Sequence, residues 1–211
     1  MPDHPHFRIF GIPVRVEPVF FVIAALFGYQ YIDISVSLVF VWIAVSFVSI
    51  LVHELGHALV LRLFGQPSSI VLHAFGGVTM SQRRLSTARS VAVSLAGAGT
   101  ALLLLWWPAR TLYGSTWWRH QVLWVRGAVF FTAFANLWWS VANLLPIRPL
   151  DGGNVVAELF GLPASRRVSL VAAAAAGAWA LTHHQQYAGF FALFLAFGSY
   201  QEITAERSAS S

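Results

Sequence analysis

The stretch Val48-Ser-Ile-Leu-Val-His-Glu-Leu-Gly-His-Ala-Leu-Val-Leu61 places two histidines and a glutamate inside an otherwise apolar run. It belongs to a longer apolar segment, residues 36–64, which exceeds the roughly 20 residues that a helix needs to cross a bilayer. Ionisable side chains are costly inside a membrane helix, and their presence there indicates function by default. We therefore interpret this segment as a membrane helix that carries a functional site.

The composition of the whole chain agrees with a membrane protein. Of its 211 residues 57% are hydrophobic and 10% are charged, whereas soluble domains have about 25% charged residues. Further apolar segments lie at residues 18–32, 90–107, 122–145, 168–182 and 188–200. The sequence therefore predicts an all-α membrane protein with about six transmembrane helices.

One region between the second and third segments has a different character. Residues 68–80 are rich in β-branched side chains and contain the pair Gly76-Gly77, a pattern that predicts a short β-hairpin or a bent strand. Residues 81–89 are polar and basic and are expected to form a surface loop.

The basic residues, all of them arginine, predict how the chain is oriented. With the N-terminus in the cytoplasm, most of the 13 basic residues fall on the cytoplasmic side, as the positive-inside rule requires. We expect both termini to be cytoplasmic, the active site to lie nearer that side, and no cleavable signal peptide. A net charge of +5 without a basic stripe does not favour nucleic-acid binding.

The spacing His53-Glu-Leu-Gly-His57 is an H-E-x-x-H motif. Side chains four residues apart share one helix face, so both histidines can reach one metal ion while Glu54 lies beside it. Because the chain has no cysteine, any metal must be held by His, Asp or Glu. Zinc suits such ligands, and the spacing is that of zinc peptidases. We predict His53 and His57 as zinc ligands and Glu54 as the residue that activates the water.

A third ligand is needed, and Asp151 is the best candidate. It lies in Asn143-Leu-Leu-Pro-Ile-Arg-Pro-Leu-Asp-Gly-Gly153, where prolines and glycines break the fourth segment. Broken backbone at membrane depth is tolerated only against protein or a wet cavity. Taken alone, Asp151 is also typical of a turn aspartate before glycine. The other acidic residues fit less well by position: Asp3, Glu17, Asp33, Glu158, Glu202 and Glu206.

The two motifs together resemble the site-2 protease family of intramembrane zinc metalloproteases. That family joins H-E-x-x-H on one membrane helix to N-x-x-P-x-x-x-x-D-G on a later one. The matching residues here are His53, Glu54, His57, Asn143, Pro146, Asp151 and Gly152. The resemblance covers residues 14–153 and implies one Zn²⁺ held by His53, His57 and Asp151. It also implies Glu54 as general base and Asn143 near the substrate.

The third segment departs from the family pattern. Many members have a Gly-Pro plus an Asn there, and this chain has Gly97-Ala-Gly-Thr100. There is no room for a PDZ insertion between the second and third segments, and no regulatory domain is seen after residue 200. We expect a minimal member with one domain over residues 1–211, comprising a core at 14–153 and additional helices within 168–200.

Two further features have both a functional and a plain interpretation. His73 could contact the water or an oxyanion, or it could be a partly exposed histidine in a loop. The strand at residues 70–80 could bind an extended substrate by strand addition, as the resemblance suggests, or it could simply connect two helices.

The sequence favours an intramembrane zinc metalloprotease that cuts a transmembrane protein substrate within the lipid bilayer. A proteolytically silent membrane scaffold or receptor is the alternative, although such a protein would be expected to have lost Glu54 or a ligand. A metal transporter would need ionisable residues along a path, whereas here they form one cluster. The sequence does not indicate an oligomeric state.

Overall fold

The structure, a computed structural model of the chain, describes residues 7–74, 76–81 and 85–210. It is mostly helical and contains one small sheet. The chain divides into two compact units, one formed by residues 1–84 and 96–140 and the other by residues 85–95 and 141–211. The prediction of a single domain stays a prediction.

The sheet of the first unit has four strands. They are β1 (Phe7–Ile9), β2 (Ile12–Val16), β3 (Ser68–His73) and β4 (Gly76–Ser81), in the spatial order β1-β2-β3-β4. β2 and β3 are parallel, and the other two pairs are antiparallel. β4 therefore lies at one edge of the sheet.

Helix α2 (Val36–Leu63) has 28 residues and is about 42 Å long, more than the roughly 30 Å of a bilayer core. Its N-cap residue is Ser35, whose hydroxyl accepts a hydrogen bond from the Ser37 amide. It ends where Gly65 takes φ +72° and its amide donates to the Arg62 carbonyl. The next amide, that of residue 66, donates to the carbonyl of residue 61, which completes a Schellman motif.

The sheet packs on the second half of α2. Buried side chains from β2 and β3, such as Val14 and Leu72, share a core with Leu51, Leu55 and Ala58 of α2. This core fixes the position of β3, and β3 in turn fixes β4 through their register.

The remaining helices follow in chain order. Helix α1 is Pro18–Gly28 and continues into a 3₁₀ turn at Tyr29–Tyr31. A π-helical segment, Leu102–Trp106, joins α3 to α4. The other helices are α3 (Thr87–Ala101), α4 (Trp107–Leu112), α5 (Thr116–Arg119), α6 (Leu123–Asn143), α7 (Asp151–Phe160), α8 (Leu162–Thr182) and α9 (Gln186–Ser210).

In the second unit α8 and α9 pack closely through small residues. A Cβ at Gly177 would lie 2.9 Å from the Leu193 side chain and 3.2 Å from the main-chain oxygen of Gly189, so glycine favours this close approach. At the other end of the pair, Arg166 bonds Glu202 at 2.9 Å and Glu206 at 2.8 Å. These two carboxylates raise the pKa of Arg166 above its ordinary value.

The structure confirms a mostly helical chain with a β-hairpin and adds two strands to that hairpin. The hairpin between the second and third segments is confirmed as β3 and β4, but β1 and β2 were not predicted. The two strands are short, and they are joined by a turn in which Phe10 and Gly11 both have positive φ. Residues 87–89, placed in a loop by the sequence analysis, begin α3, whereas residues 82–84 of that loop lie outside the described residues.

Two helices in the described residues are long and apolar enough to cross a membrane, Val36–Leu63 and Thr87–Leu112. Pro18–Tyr31 is a shorter apolar helix. The six predicted crossings and the orientation of the termini stay predictions.

Candidate metal centre

The two histidines of the motif converge on α2. Their Nε2 atoms lie 3.2 Å apart, and the side chains are buried, with 2% of His53 and 7% of His57 exposed. Two nitrogens bound to one tetrahedral zinc ion at 2.0–2.1 Å would be separated by about 3.3 Å. The spacing of this pair therefore fits two ligands of one ion.

Helix α3 approaches these rings through a glycine. A Cβ at Gly97 would meet Nε2 of His57 and would lie 2.7 Å from Nε2 of His53. Any larger residue would therefore occupy the space in front of both ring nitrogens. The absence of a side chain at this position leaves the room that a shared ion needs.

Gly56 on α2 also allows α3 to lie close to α2. A Cβ at Gly56 would lie 2.6 Å from the main-chain oxygen of Ala96 and 2.7 Å from Oγ1 of Thr100. Gly56 inside the motif thus serves close packing against α3. Gly97 and Thr100 both belong to the segment that departs from the family pattern, and both lie against the motif.

Glu54 lies on another side of α2, against β4. It is 5% exposed, and its Oε2 accepts a hydrogen bond of 2.7 Å from the Thr79 hydroxyl. A Cβ at Gly77 would lie 2.6 Å from Cδ and 2.7 Å from Oε1 of the same carboxylate. Two residues of β4 thus determine where the carboxylate can lie.

In the second unit Asp151 is the first residue of α7, where a negative charge is favoured by the helix dipole. Its Oδ2 atom is buried. A Cβ at Gly152 would overlap the main-chain oxygens of Leu144 and Leu145, so this turn requires glycine. The first turn of α7 therefore packs closely against Leu144 and Leu145 and presents the Asp151 carboxylate at the start of the helix.

Two buried serines of α8 hold this turn. Ser165 Oγ donates to the carbonyl of Gly153 at 2.8 Å, and the amide of Arg148 donates to Ser169 Oγ at 3.0 Å. Both serines are fully buried. The sequence analysis did not find them, because serines close to Arg166 and Arg167 near the start of a helix give no distinctive signal.

The first unit offers two buried imidazole nitrogens, at His53 and His57, and the second unit offers a buried carboxylate oxygen at Asp151. Two imidazoles and one carboxylate are the ligands of a catalytic zinc site, which keeps a further position for water. The residues present thus fit zinc.

The other two predicted site residues lie at ends of elements. His73 is the last residue of β3, opposite Gly76 in the hairpin, and it is half-buried. Asn143 is the last residue of α6 and is also half-buried. Their roles in substrate binding stay predictions.

Comparison with known proteins finds relatives that are named as zinc metalloproteases, although no family model matches the chain. Two relatives bear the name "Putative zinc metalloprotease". One is sll0528 of Synechocystis sp., 32% identical over 166 residues, which are 72% of this chain and 42% of that protein. The other is Rip3 of Mycobacterium tuberculosis, 37% identical over 113 residues, which are 51% of this chain and 28% of that protein.

A solved structure shows the same fold. The Site-2 Protease from Methanocaldococcus jannaschii matches with a TM-score of 0.60 and 21% identity, over 93% of each chain. The chain thus has the fold of that site-2 protease, and in sequence it is similar to the two zinc metalloproteases. Two of its helices, Val36–Leu63 and Thr87–Leu112, are long and apolar enough to span a bilayer. It spans less than half the length of the curated relatives it matches.

Proposed function

We propose that this chain is a member of the site-2 protease family and an intramembrane zinc metalloprotease, which hydrolyses a peptide bond in or near a transmembrane segment of another membrane protein. The observation that carries this proposal is the arrangement on α2. Two buried imidazoles converge at 3.2 Å, and a buried carboxylate one residue along is held by a separate hydrogen bond. The names of the curated relatives support the same chemistry.

His53, His57 and Asp151 would hold one zinc ion. When bound in such a site, zinc lowers the pKa of water to about 7 and polarises a carbonyl oxygen. The two histidines are fixed on one helix, and Asp151 is fixed by the close packing of Gly152 in the first turn of α7. This donor set requires no residue beyond those of the two motifs.

Glu54 is the general base in this proposal. It accepts a proton from the attacking water and later returns it to the leaving amine nitrogen. Its burial keeps bulk water away from this proton. Its orientation by Thr79 leaves Oε1, the oxygen that faces Gly77, to receive the proton.

The substrate must be extended before it can be cut, because the carbonyls of a helical segment are engaged in helical hydrogen bonds. We infer that the free edge of β4 binds the substrate by strand addition, with main-chain hydrogen bonds along the edge. Asn143 and His73 are proposed to contact it. We also propose that the chain crosses the membrane several times, with both termini and the nearer entrance for water on the cytoplasmic side.

A cleavage assay tests the proposal. Purified wild type and Glu54→Gln are reconstituted in liposomes with a panel of single-pass membrane segments, and bound zinc is measured on the same samples. We expect the wild type to cut at least one segment, and Glu54→Gln to bind zinc but to cut that segment at least about 10²-fold more slowly. If both variants bind zinc and a segment and neither cuts, the silent scaffold replaces the protease.

A further inference from the structure

Thr79 is bonded to the residue that we propose as general base. Its Oγ1 lies 2.7 Å from Oε2 of Glu54 and 3.2 Å from the main-chain oxygen of the same residue. A threonine hydroxyl has one proton to donate, and the carboxylate is the nearer and the charged acceptor. A hydrogen bond to a charged group is shorter and stronger than one between neutral groups.

The strand that carries Thr79 cannot easily shift. Thr79 pairs with Ile70 and Gly77 pairs with Leu72, and these two partners on β3 are among the most deeply buried residues of the first unit. A slip of one residue would turn every side chain of β4 to the opposite face. The hydroxyl is therefore presented to Glu54 by a strand whose register the core fixes.

Residues 77 and 79 share one face of β4, because side chains alternate along a strand. On this face Gly77 leaves space for the carboxylate and Thr79 bonds one of its oxygens. The same strand is the edge of the sheet. The hydrogen bond from Thr79 thus links the edge strand to Glu54, the proposed general base.

We propose that Thr79 is a positioning residue for Glu54. Its hydroxyl holds Oε2 and thereby aims Oε1 at the water, so that the base is already oriented when a substrate strand pairs with β4. This inference rests on the proposed function. The Thr79 hydroxyl acts through Glu54, whereas β4 would bind the substrate through its main chain. Removal of the hydroxyl should therefore affect turnover and leave substrate affinity and zinc content unchanged.

A matched pair of variants tests this role. Thr79→Val keeps the branched shape and the strand preference but removes the hydroxyl, whereas Thr79→Ser keeps the hydroxyl and removes a methyl group. We expect Thr79→Val to lower kcat by about 10- to 100-fold with KM unchanged, as a misplaced catalytic group does. Thr79→Ser should recover most of the wild-type kcat. Both should bind zinc and the substrate segment like the wild type.

A double variant separates positioning from a merely structural effect. In the Glu54→Gln background the general base is already lost, so Thr79→Val should remove little of the remaining activity. Three results would overturn the proposal. The first is that Thr79→Ser fails to recover the wild-type kcat, and the second is that Thr79→Val raises KM or loses zinc. The third is that Thr79→Val lowers kcat as much in the Glu54→Gln background as in the wild type. If the wild type itself cuts no segment, the proposed function fails and the role of Thr79 fails with it.

Discussion

Two elements approach the motif on α2, and each does so through a glycine. From α3, Gly97 lies in front of the two histidine nitrogens, and from β4, Gly77 lies against the Glu54 carboxylate. Two residues further on, the elements differ. β4 supplies Thr79, which bonds the carboxylate, while α3 has Gly99, around whose Cβ position nothing lies within 4 Å. The α3 side provides space for a metal, whereas the β4 side provides both space and orientation.

Substitution at Gly97 should have the larger effect, because it fills the space that the metal needs. In Gly97→Ala the methyl carbon would lie where both Nε2 atoms point, and the rings could avoid it only by turning away from each other. We expect zinc affinity to fall by at least about 10- to 100-fold, with cleavage lost. Bound zinc per protein, measured by mass spectrometry after dialysis, checks this prediction.

The protein should remain folded in this experiment, since the atoms in the way belong to side chains and not to the backbone. Elution as a single species on size exclusion is the control. Normal zinc content with normal cleavage in Gly97→Ala would mean that the gap in front of the rings is not the metal position.

Substitution at Gly77 should separate the base from the metal. A methyl group there would push the Glu54 carboxylate away from its position beside Thr79. We expect Gly77→Ala to reduce cleavage by about 10²-fold, as a displacement of about 1 Å can do, and to leave zinc content unchanged. Zinc and activity measured on one preparation check this. Equal loss of both would show that β4 supports the histidines as well.

The sequence allowed His53, Glu54 and His57 to be predicted because the motif is local, and the helix period alone brings the two histidines together. Gly97 and Thr79 could not be found in this way. Each matters only because tertiary packing brings it to α2, and a glycine or a threonine in an apolar segment has many ordinary explanations.

The dependence on tertiary packing also explains why β1 and β2 were not predicted from the sequence. The hairpin at residues 68–80 was predicted from its β-branched residues and its glycine pair. β1 and β2 are short, and β2 exists because it pairs with a strand more than 50 residues away, as the register of Val14 with Ile70 shows. A pairing over that distance leaves no local pattern.

The smallest expected effect supplies the matched control on α3. Gly99→Ala makes the same change as Gly97→Ala two residues along the same helix, but the added Cβ meets nothing within 4 Å. Because glycine inside a helix is less favourable than alanine by roughly 0.5–1 kcal/mol, this variant should be slightly more stable to heat in detergent. Zinc content and cleavage should match the wild type. If Gly99→Ala also lost zinc, the loss in Gly97→Ala would reflect a general sensitivity of α3 and not the space before the two rings.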